Sequence, residues 1–337
     1  MINVGVIGCG QWGPNHIRIF SHLPNSRALM GADLNAARLK TIRETFTNIK
    51  TTTDYRDILN HQDIHAVCVA SPTNTHFAFA KEALEHDKHV LCEKPLALTA
   101  EECRELADLA ARRKRILMVG HVFLFNAGIM KLKEYIRSGE LGRVYYAHST
   151  RTNLGPFRYD VSALWDLAPH DISIFNYLFD GCPVNVSARG HLCLGTERDD
   201  LAFGTLEYPG KTAAHLHVSW IDPKKVRQIT VVGEKKMATW DDLDDLGPIK
   251  LYDKHVEKMA AYYETYGEFR LLSQEGGVII PKVELSEPLK NQNQYFISCV
   301  ERGTPAELSD ARKGGDVVST LVALQQSIER QGACVNL

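Results

Sequence analysis

The sequence predicts an α/β domain with a doubly wound parallel sheet, followed by an α+β domain with a large, mostly antiparallel open sheet. Two observations support this. The first third alternates short β-branched runs with helical patterns, and the remainder contains long runs in which every second residue is apolar. With 337 residues, the chain is about twice as long as a typical domain of ~150 residues. We therefore predict two domains, 1–122 and 123–337.

Five strands are predicted in the first domain, at 3–7, 28–33, 66–70, 89–92 and 116–119. Their apolar runs are continuous, as expected for strands covered by helices on both faces. Thr99 and Glu102 have the spacing of a capping box, which predicts a helix from there to about Arg113. An alanine-rich helix is predicted to end near His86.

A G-x-G-x-x-G motif follows the first strand directly. Its first glycine permits a tight turn, the second lets backbone approach a diphosphate, and the third lets the helix pack on the strand. Asp33 ends the second strand 20 residues after the motif, where a carboxylate binds an adenosine ribose and repels a 2′-phosphate. We therefore predict a Rossmann site that prefers NAD to NADP. Its residues are Gly8, Gly10, Gln11, Trp12, Gly13 and Asp33. The alternative for Asp33 is a helix N-cap for the segment near Asn35.

The loop after the strand at 66–70 is predicted to line the same crevice, because ligands gather beyond the carboxyl ends of parallel strands. Its candidate cofactor-binding residues are Ser71, Thr73, Asn74 and His76. Helix capping is the alternative for Thr73 and Asn74, and one loop can serve both purposes.

The second domain is predicted to begin with a helix at 127–138 and to end with helices at 291–302 and 312–331. Strand candidates between them are 143–151, 184–194, 201–208, 212–220 and 227–239. Alternation over runs of this length is typical of an antiparallel sheet with one covered face.

Glu93-Lys94-Pro95 follows the strand at 89–92, where proline ends ladder pairing. With the glycine motif, Asp33, Gly120-His121 and the segment Asp166-Leu-Ala-Pro-His170, it resembles the Gfo/Idh/MocA oxidoreductase family. The resemblance implies an NAD(P)-dependent enzyme acting on sugars, cyclitols or sugar nucleotides. It also implies subunit contacts through the second sheet, a final helix packed on the first domain and a cis peptide before Pro95.

On the family pattern, Lys94 is the catalytic lysine and His170 the acid/base, with Asp166 beside it; Glu93 and Lys94 also lie at the cofactor. Alcohol oxidation needs a hydride acceptor, a base and a positive group for the developing alkoxide. Histidine, with a pKa near ~6.5, suits the base, and a lysine ammonium suits the positive group. Asp166, one helical turn before His170, could orient that histidine or bind a sugar hydroxyl. The alternative is an ordinary structural helix.

Four further residues are predicted to bind substrate: His121, Arg151, Asn153 and Trp165. Arginine offers a bidentate fork and tryptophan a flat face, although packing or a surface ion pair explains either residue equally well. The segment Leu124-Phe125-Asn126-Ala127 departs from the family, which often has an arginine there. This leaves the pocket rim without that cation.

A formal charge of −2 argues against broad binding to nucleic acid or membranes, and no apolar run approaches the ~18 residues of a membrane span. Eight scattered cysteines without a C-x-x-C pair indicate free thiols and no metal site. We expect a cytoplasmic homodimer or homotetramer.

By resemblance to a sugar-nucleotide branch, the predicted reaction is 3-oxidation of UDP-N-acetylglucosamine or a relative. A keto-sugar reductase, an inositol or free-sugar dehydrogenase, and a non-catalytic NAD-binding regulator are the alternatives.

Overall fold

The computed structural model describes residues 1–158, 160–195, 197–258 and 271–337. They form two compact units. The first comprises Met1–Phe125 and Ser286–Val322, and the second comprises Asn126–Leu285 and Ala323–Leu337. The domain division at 122/123 stays a prediction.

A six-stranded parallel sheet lies at the centre of the first unit, in the order β3-β2-β1-β4-β5-β6. The strands are β1 (Ile2–Ile7), β2 (Ser26–Ala32), β3 (Lys50–Thr52), β4 (Ala66–Val69), β5 (His89–Cys92) and β6 (Leu117–Val119). The order reverses at β1, so the crevice beyond its carboxyl end is the expected ligand site of a doubly wound sheet.

Two helices of the first unit begin at side-chain caps. Asn35 accepts backbone N–H bonds at the start of one helix, and the predicted capping box of Thr99 and Glu102 opens another. Residues such as Phe20 and Phe296 are fully buried in the core of this unit. The helices are α1 (Gly13–His22), α2 (Ala36–Thr45), α3 (Arg56–Asn60), α4 (His76–Glu85), α5 (Ala100–Arg113) and α8 (Pro288–Arg302).

Nine strands of the described second unit form one sheet, in the order β14-β13-β12-β11-β7-β10-β9-β8-β15. They are β7 (Val144–Leu154), β8 (Asn185–His191), β9 (Leu201–Tyr208), β10 (Thr212–Ser219), β11 (Ile221–Gly233), β12 (Met237–Asp241), β13 (Ile249–Lys258), β14 (Leu271–Ile279) and β15 (Val335–Asn336). The pair β7 and β10 is parallel, and the other neighbouring pairs are antiparallel.

One face of this sheet is covered by α6 (Ala127–Arg137) and α7 (Ala163–Phe179). Phe175 of α7 and Trp240 of β12 are both fully buried, so the core of the second unit lies on this face. The last helix, α9 (Ala311–Glu329), contributes its residues up to Val322 to the first unit and the rest to the second. Among the described helices, none combines the length and apolarity that crossing a lipid bilayer requires.

The predicted fold class is confirmed, but the structure corrects the predicted strands in three respects. The single strand predicted at 227–239 is wrong, because Gly233 and Lys236 close a hairpin turn that separates β11 from β12. The short edge strand β3 was not predicted, since its sequence, Lys-Thr-Thr, carries no apolar run. The strands β13, β14 and β15 were not predicted either.

Candidate active site

The glycine motif forms the turn between β1 and α1 at the carboxyl edge of the parallel sheet. Gly8 has a φ of +95°, and a Cβ there would lie 2.6 Å from the carbonyl oxygen of Ala70. A Cβ at Gly13 would lie 2.0 Å from the carbonyl oxygen of Gly8. Only glycine fits at either position.

The space at Gly10 is open. The nearest atom to a Cβ placed there is Nη1 of Arg38, 3.8 Å away. The turn is therefore tightly closed at its two ends and leaves room at its middle, beside the N-terminus of a ten-residue helix. This is the arrangement that a dinucleotide diphosphate requires, so the residues present fit NAD. Gln11 and Trp12 are exposed on the same turn.

Asp33 lies directly after β2 and is held by two backbone donors. Its Oδ2 accepts the Cys9 N–H at 2.8 Å, and its Oδ1 accepts the Asn35 N–H at 2.8 Å. The N-cap of α2 is Asn35, so the alternative role of Asp33 as that cap is wrong. The Asp33 carboxylate is thus fixed beside the glycine turn, where it would accept hydrogen bonds from an adenosine ribose.

Replacing Asp33 by Asn is expected to narrow the preference for NAD over NADP roughly tenfold, because the variant loses the charge that repels a 2′-phosphate. Dissociation constants for both reduced cofactors, measured by fluorescence titration, check this. The exposed Asp63→Asn is the control. An unchanged ratio in D33N would contradict the ribose role.

The loop after β4 contains a 3₁₀ turn, Thr73–Thr75, before α4. Neither this turn nor α4 has a side-chain cap, so the capping alternative for Thr73 and Asn74 is wrong. Thr73 is buried, whereas Asn74 is exposed and Ser71 is half-buried. His76 is 1% exposed, and its ring lies between the carbonyl oxygens of Ser71 and Pro95.

The turn that carries Lys94 begins at the carboxyl end of β5, two strands from the glycine turn. The peptide before Pro95 is cis, as the resemblance implies. Glu93 accepts a hydrogen bond from His16 Nε2 at 2.9 Å, and the other ring nitrogen of His16 lies 3.1 Å from the carboxamide of Asn293. Burial raises the pKa of Glu93, but the hydrogen bond from His16 and the charges of Lys94 and His76 outweigh it and lower that pKa. A buried carboxylate therefore anchors the lysine turn.

His121 follows β6 and is 1% exposed. The Ser309 hydroxyl donates to the Val119 carbonyl, so it accepts from Nδ1–H of His121 at 3.0 Å. Burial lowers the pKa of His121 to about 4, and the imidazole is neutral at physiological pH. The substrate-binding role of His121 stays a prediction, while the observed role is a buried link to Ser309.

The lowered pKa of His121 makes stability depend on pH in a definite direction. An unfolded histidine titrates near ~6.5, so below that value the unfolded chain binds a proton that the folded chain does not. The stability contributed by neutral His121 is therefore lost as the pH falls from about 6.5 towards about 4. We expect His121→Gln to lessen the fall in melting temperature across this window. His22→Gln, at an exposed site, is the control, and parallel curves for H121Q and the wild type would contradict the assignment.

Asp166 and His170 lie one turn apart in α7, as their spacing predicts. Both carboxylate oxygens of Asp166 are engaged: Arg158 Nη1 donates to Oδ1 at 3.1 Å and Trp220 Nε1 to Oδ2 at 3.2 Å. Arg158 also binds Asp160, and its side chain is 31% exposed. Burial lowers the pKa of Arg158, but Asp160 and Asp166 outweigh it and raise that pKa, so the guanidinium is a permanent cation beside Asp166.

Arg151 is committed to a buried ion pair. Its Nε and Nη2 donate to Oδ1 of Asp171 at 3.0 and 2.7 Å, and the two side chains are only 4% and 1% exposed. Asp171 directly follows His170, so β7 is tied to α7 at the candidate base. Of the other predicted substrate-binding residues, Asn153 and Trp165 are half-buried. No group of three or more metal-ligating side chains occurs in the part of the chain that the structure describes.

Two family models match the chain. The model described as "Oxidoreductase family, NAD-binding Rossmann fold" covers residues 2–121, and the "GFO/IDH/MocA C-terminal domain" covers residues 129–239. The chain belongs to the Gfo/Idh/MocA oxidoreductase family. The resemblance drawn from Glu93-Lys94-Pro95 and the glycine motif is thereby confirmed.

Among curated relatives, the oxidoreductase YrbE of Bacillus subtilis is 32% identical over 196 residues, which is 56% of this chain and 57% of that protein. An inositol 2-dehydrogenase of Burkholderia vietnamiensis is 30% identical over 237 residues, 69% of this chain and 65% of that protein. The matches thus span less than two thirds of the length of either relative.

Solved structures of other proteins share the fold over nearly the full length of their alignments. An oxidoreductase from Magnetospirillum magnetotacticum superposes with a TM-score of 0.79 at 25% identity, covering 96% of this chain and 99% of that one. The UDP-N-acetylglucosamine 3-dehydrogenase GnnA from Acidithiobacillus ferrooxidans has a TM-score of 0.79 at 23% identity, covering 98% of each chain.

In the first unit, the glycine turn, Asp33, the Ser71 loop and Lys94 lie at one edge of the parallel sheet. In the second unit, Asp166 and His170 lie one turn apart in α7. Each unit also contains site residues that were not predicted from the sequence. Arg158, Trp220, Asp171 and His16 had no local signal, because their partners lie 8, 54, 20 and 77 residues away. Arg158 supplies a cation beside Asp166, although the segment at 124–127 lacks the arginine common in the family.

Proposed function

We propose that the chain is an NAD-dependent dehydrogenase that oxidises a ring hydroxyl, at C3, of a sugar nucleotide such as UDP-N-acetylglucosamine. The observation that carries this proposal is the place of Lys94. Lys94 follows the carboxyl end of β5, on the same sheet edge as a glycine turn that fits a dinucleotide, and ligands of a doubly wound sheet bind at that edge.

The proposed cofactor-binding residues lie at that edge of the parallel sheet. The glycine turn would hold the diphosphate and Asp33 the ribose, with the Ser71 loop and the Glu93-Lys94 turn flanking the crevice. The chemistry that bound NAD⁺ would supply is a hydride acceptor for the sugar carbon.

His170 and Lys94 divide the proton and charge chemistry. We assign His170 as the base that takes the hydroxyl proton, which contributes roughly 10² to 10⁴ in rate. The Lys94 ammonium donates a hydrogen bond to the oxygen as negative charge develops on it. Asp166, held by Arg158 and Trp220, has its carboxylate fixed for a sugar hydroxyl, and Trp165 offers a flat face to the ring.

The choice of substrate is supported by the fold neighbour that bears the name UDP-N-acetylglucosamine 3-dehydrogenase. Inositol oxidation is the second candidate, because a curated relative with 30% identity is an inositol 2-dehydrogenase. Hydride transfer is reversible, so reduction of a keto-sugar uses the same residues in the opposite direction.

We also propose that the chain forms a homodimer or homotetramer through the outer face of the second sheet. Large apolar side chains on that face are exposed, among them Tyr146 at 46% and Phe203 at 39%. Light scattering coupled to size exclusion tests this, and a monomer at micromolar concentration would contradict it.

A substrate screen tests the proposed activity. Purified protein is mixed with NAD⁺ and either a UDP-sugar, myo-inositol or a free aldose, and absorbance at 340 nm is followed. We expect UDP-N-acetylglucosamine to support reduction of NAD⁺. NMR of the sugar product should show a keto group at C3. Faster reduction of NAD⁺ with myo-inositol would instead identify the chain as an inositol dehydrogenase. Tight NAD binding without turnover of any of these compounds would favour a non-catalytic regulator.

A further inference from the structure

His76 bridges two loops at the carboxyl edge of the parallel sheet. Its Nδ1 lies 2.8 Å from the carbonyl oxygen of Pro95, and its Nε2 lies 2.9 Å from the carbonyl oxygen of Ser71. The residue is 1% exposed. Ser71 belongs to the loop after β4, and Pro95 follows Lys94 in the turn after β5.

The two acceptors decide the protonation of the ring. A carbonyl oxygen only accepts hydrogen bonds, and a neutral imidazole has a single N–H to donate. A neutral His76 would therefore face one carbonyl with a bare nitrogen lone pair at hydrogen-bonding distance, and would leave that carbonyl without its donor. An unsatisfied buried polar group costs about 1–3 kcal/mol.

We propose that His76 carries a proton on both ring nitrogens and, as a cationic clamp between the Ser71 and Pro95 carbonyls, is a positioning residue for Lys94. The clamp itself is independent of the reaction, whereas the positioning role rests on the proposed function.

A buried cation needs nearby negative charge, and Glu93 supplies it. His16, which holds Glu93 from α1, lowers the pKa of the Glu93 carboxyl most, and the charges of Lys94 and His76 lower it further. The buried carboxylate, shared among these three groups, thus offsets part of the cost of keeping a charged imidazole away from water.

The clamp holds the residue that follows Lys94 in the chain, and the Glu93 anchor holds the residue before it. Glu93 precedes Lys94 and is fixed by His16, while Pro95 follows it and is fixed by His76. With both flanking residues held, the backbone of Lys94 has little freedom to shift. A displacement of about 1 Å in a catalytic group can cost about 10² in rate, so the second restraint is significant for catalysis.

Nitrogen NMR tests the protonation directly. Full-length protein labelled with ¹⁵N-histidine is examined near neutral pH by long-range ¹⁵N–¹H correlation, and the His76 signals are assigned by their absence in His76→Gln or, if that variant does not fold, by through-bond assignment in the wild type. We expect both ring nitrogens of His76 to show the shifts of protonated nitrogen. One protonated and one bare nitrogen would overturn the clamp.

Kinetics test the positioning role. His76→Gln should lower kcat with UDP-N-acetylglucosamine about 10²-fold while KM for that substrate changes less than about threefold. The control is His86→Gln, an exposed site at the end of the same helix. An unchanged kcat in H76Q would overturn the role.

If the wild type does not turn over this substrate, the proposed function fails separately from the clamp. Positioning is then read from the ¹³Cε resonance of Lys94 in lysine-labelled protein. That resonance should move in H76Q and stay in place in H86Q, and an unmoved resonance would overturn the positioning role.

Discussion

Replacing Lys94 by Ala is expected to lower kcat about 10² to 10³-fold while NAD binding is retained. Removal of one charged donor to a developing oxyanion has an effect of about this size. The NAD site should survive, because the glycine turn and Asp33 are held by backbone contacts that do not involve the lysine side chain. Initial rates at 340 nm and cofactor titration by fluorescence measure the two quantities.

The matched control for this variant is Lys81→Ala. Lys81 is a half-buried lysine of the same unit whose ammonium pairs with Glu105. Its removal should leave both kcat and NAD affinity unchanged. A Lys94→Ala variant that retains wild-type turnover, or one that loses NAD binding in proportion to activity, would contradict the assigned role.

Replacing Arg151 by Met is expected to destabilise the second unit by about 3–5 kcal/mol. The change leaves the Asp171 carboxylate, whose side chain is 1% exposed, without its guanidinium partner. Urea unfolding followed by tryptophan fluorescence measures the effect, because Trp165, Trp220 and Trp240 all belong to the second unit.

Two controls accompany the Arg151 variant. Arg56→Met removes a pair whose arginine is 58% exposed, and its urea midpoint should stay close to that of the wild type. The double variant Arg151→Met/Asp171→Leu removes both charges and should recover most of the lost stability. A loss of less than about 1 kcal/mol in the free energy of unfolding of R151M would contradict the prediction, because it is the size expected for an exposed ion pair.

Features encoded by local sequence were predictable. The parallel sheet follows from continuous apolar runs, and the capping box at Thr99 follows from a three-residue spacing. The dinucleotide turn follows from Gly8 and Gly13, because a Cβ at either position would lie within 3 Å of a backbone atom. These signals are local because each depends on residues a few positions apart.

Features created by tertiary contact were not predictable. Trp220 donates a hydrogen bond to Asp166, which is 54 residues away in the sequence. Neither residue type indicates from the sequence which residue it contacts. Arg151 was predicted to contact substrate because an arginine near a pocket carries that chemistry, yet its donors meet Asp171 in the interior. The hairpin after Gly233 was missed because apolar alternation continues from β11 into β12.

Isotope transfer follows the hydride from the C3 carbon of the sugar to the cofactor. Protein is incubated with NAD⁺ and UDP-N-acetylglucosamine deuterated at C3, and the reduced cofactor is analysed by mass spectrometry. We expect one deuterium in the NADH formed by the wild type, and almost no NADH from His170→Ala protein that still binds NAD. Reduced cofactor without deuterium, or labelled cofactor at the wild-type rate from H170A, would contradict this expectation.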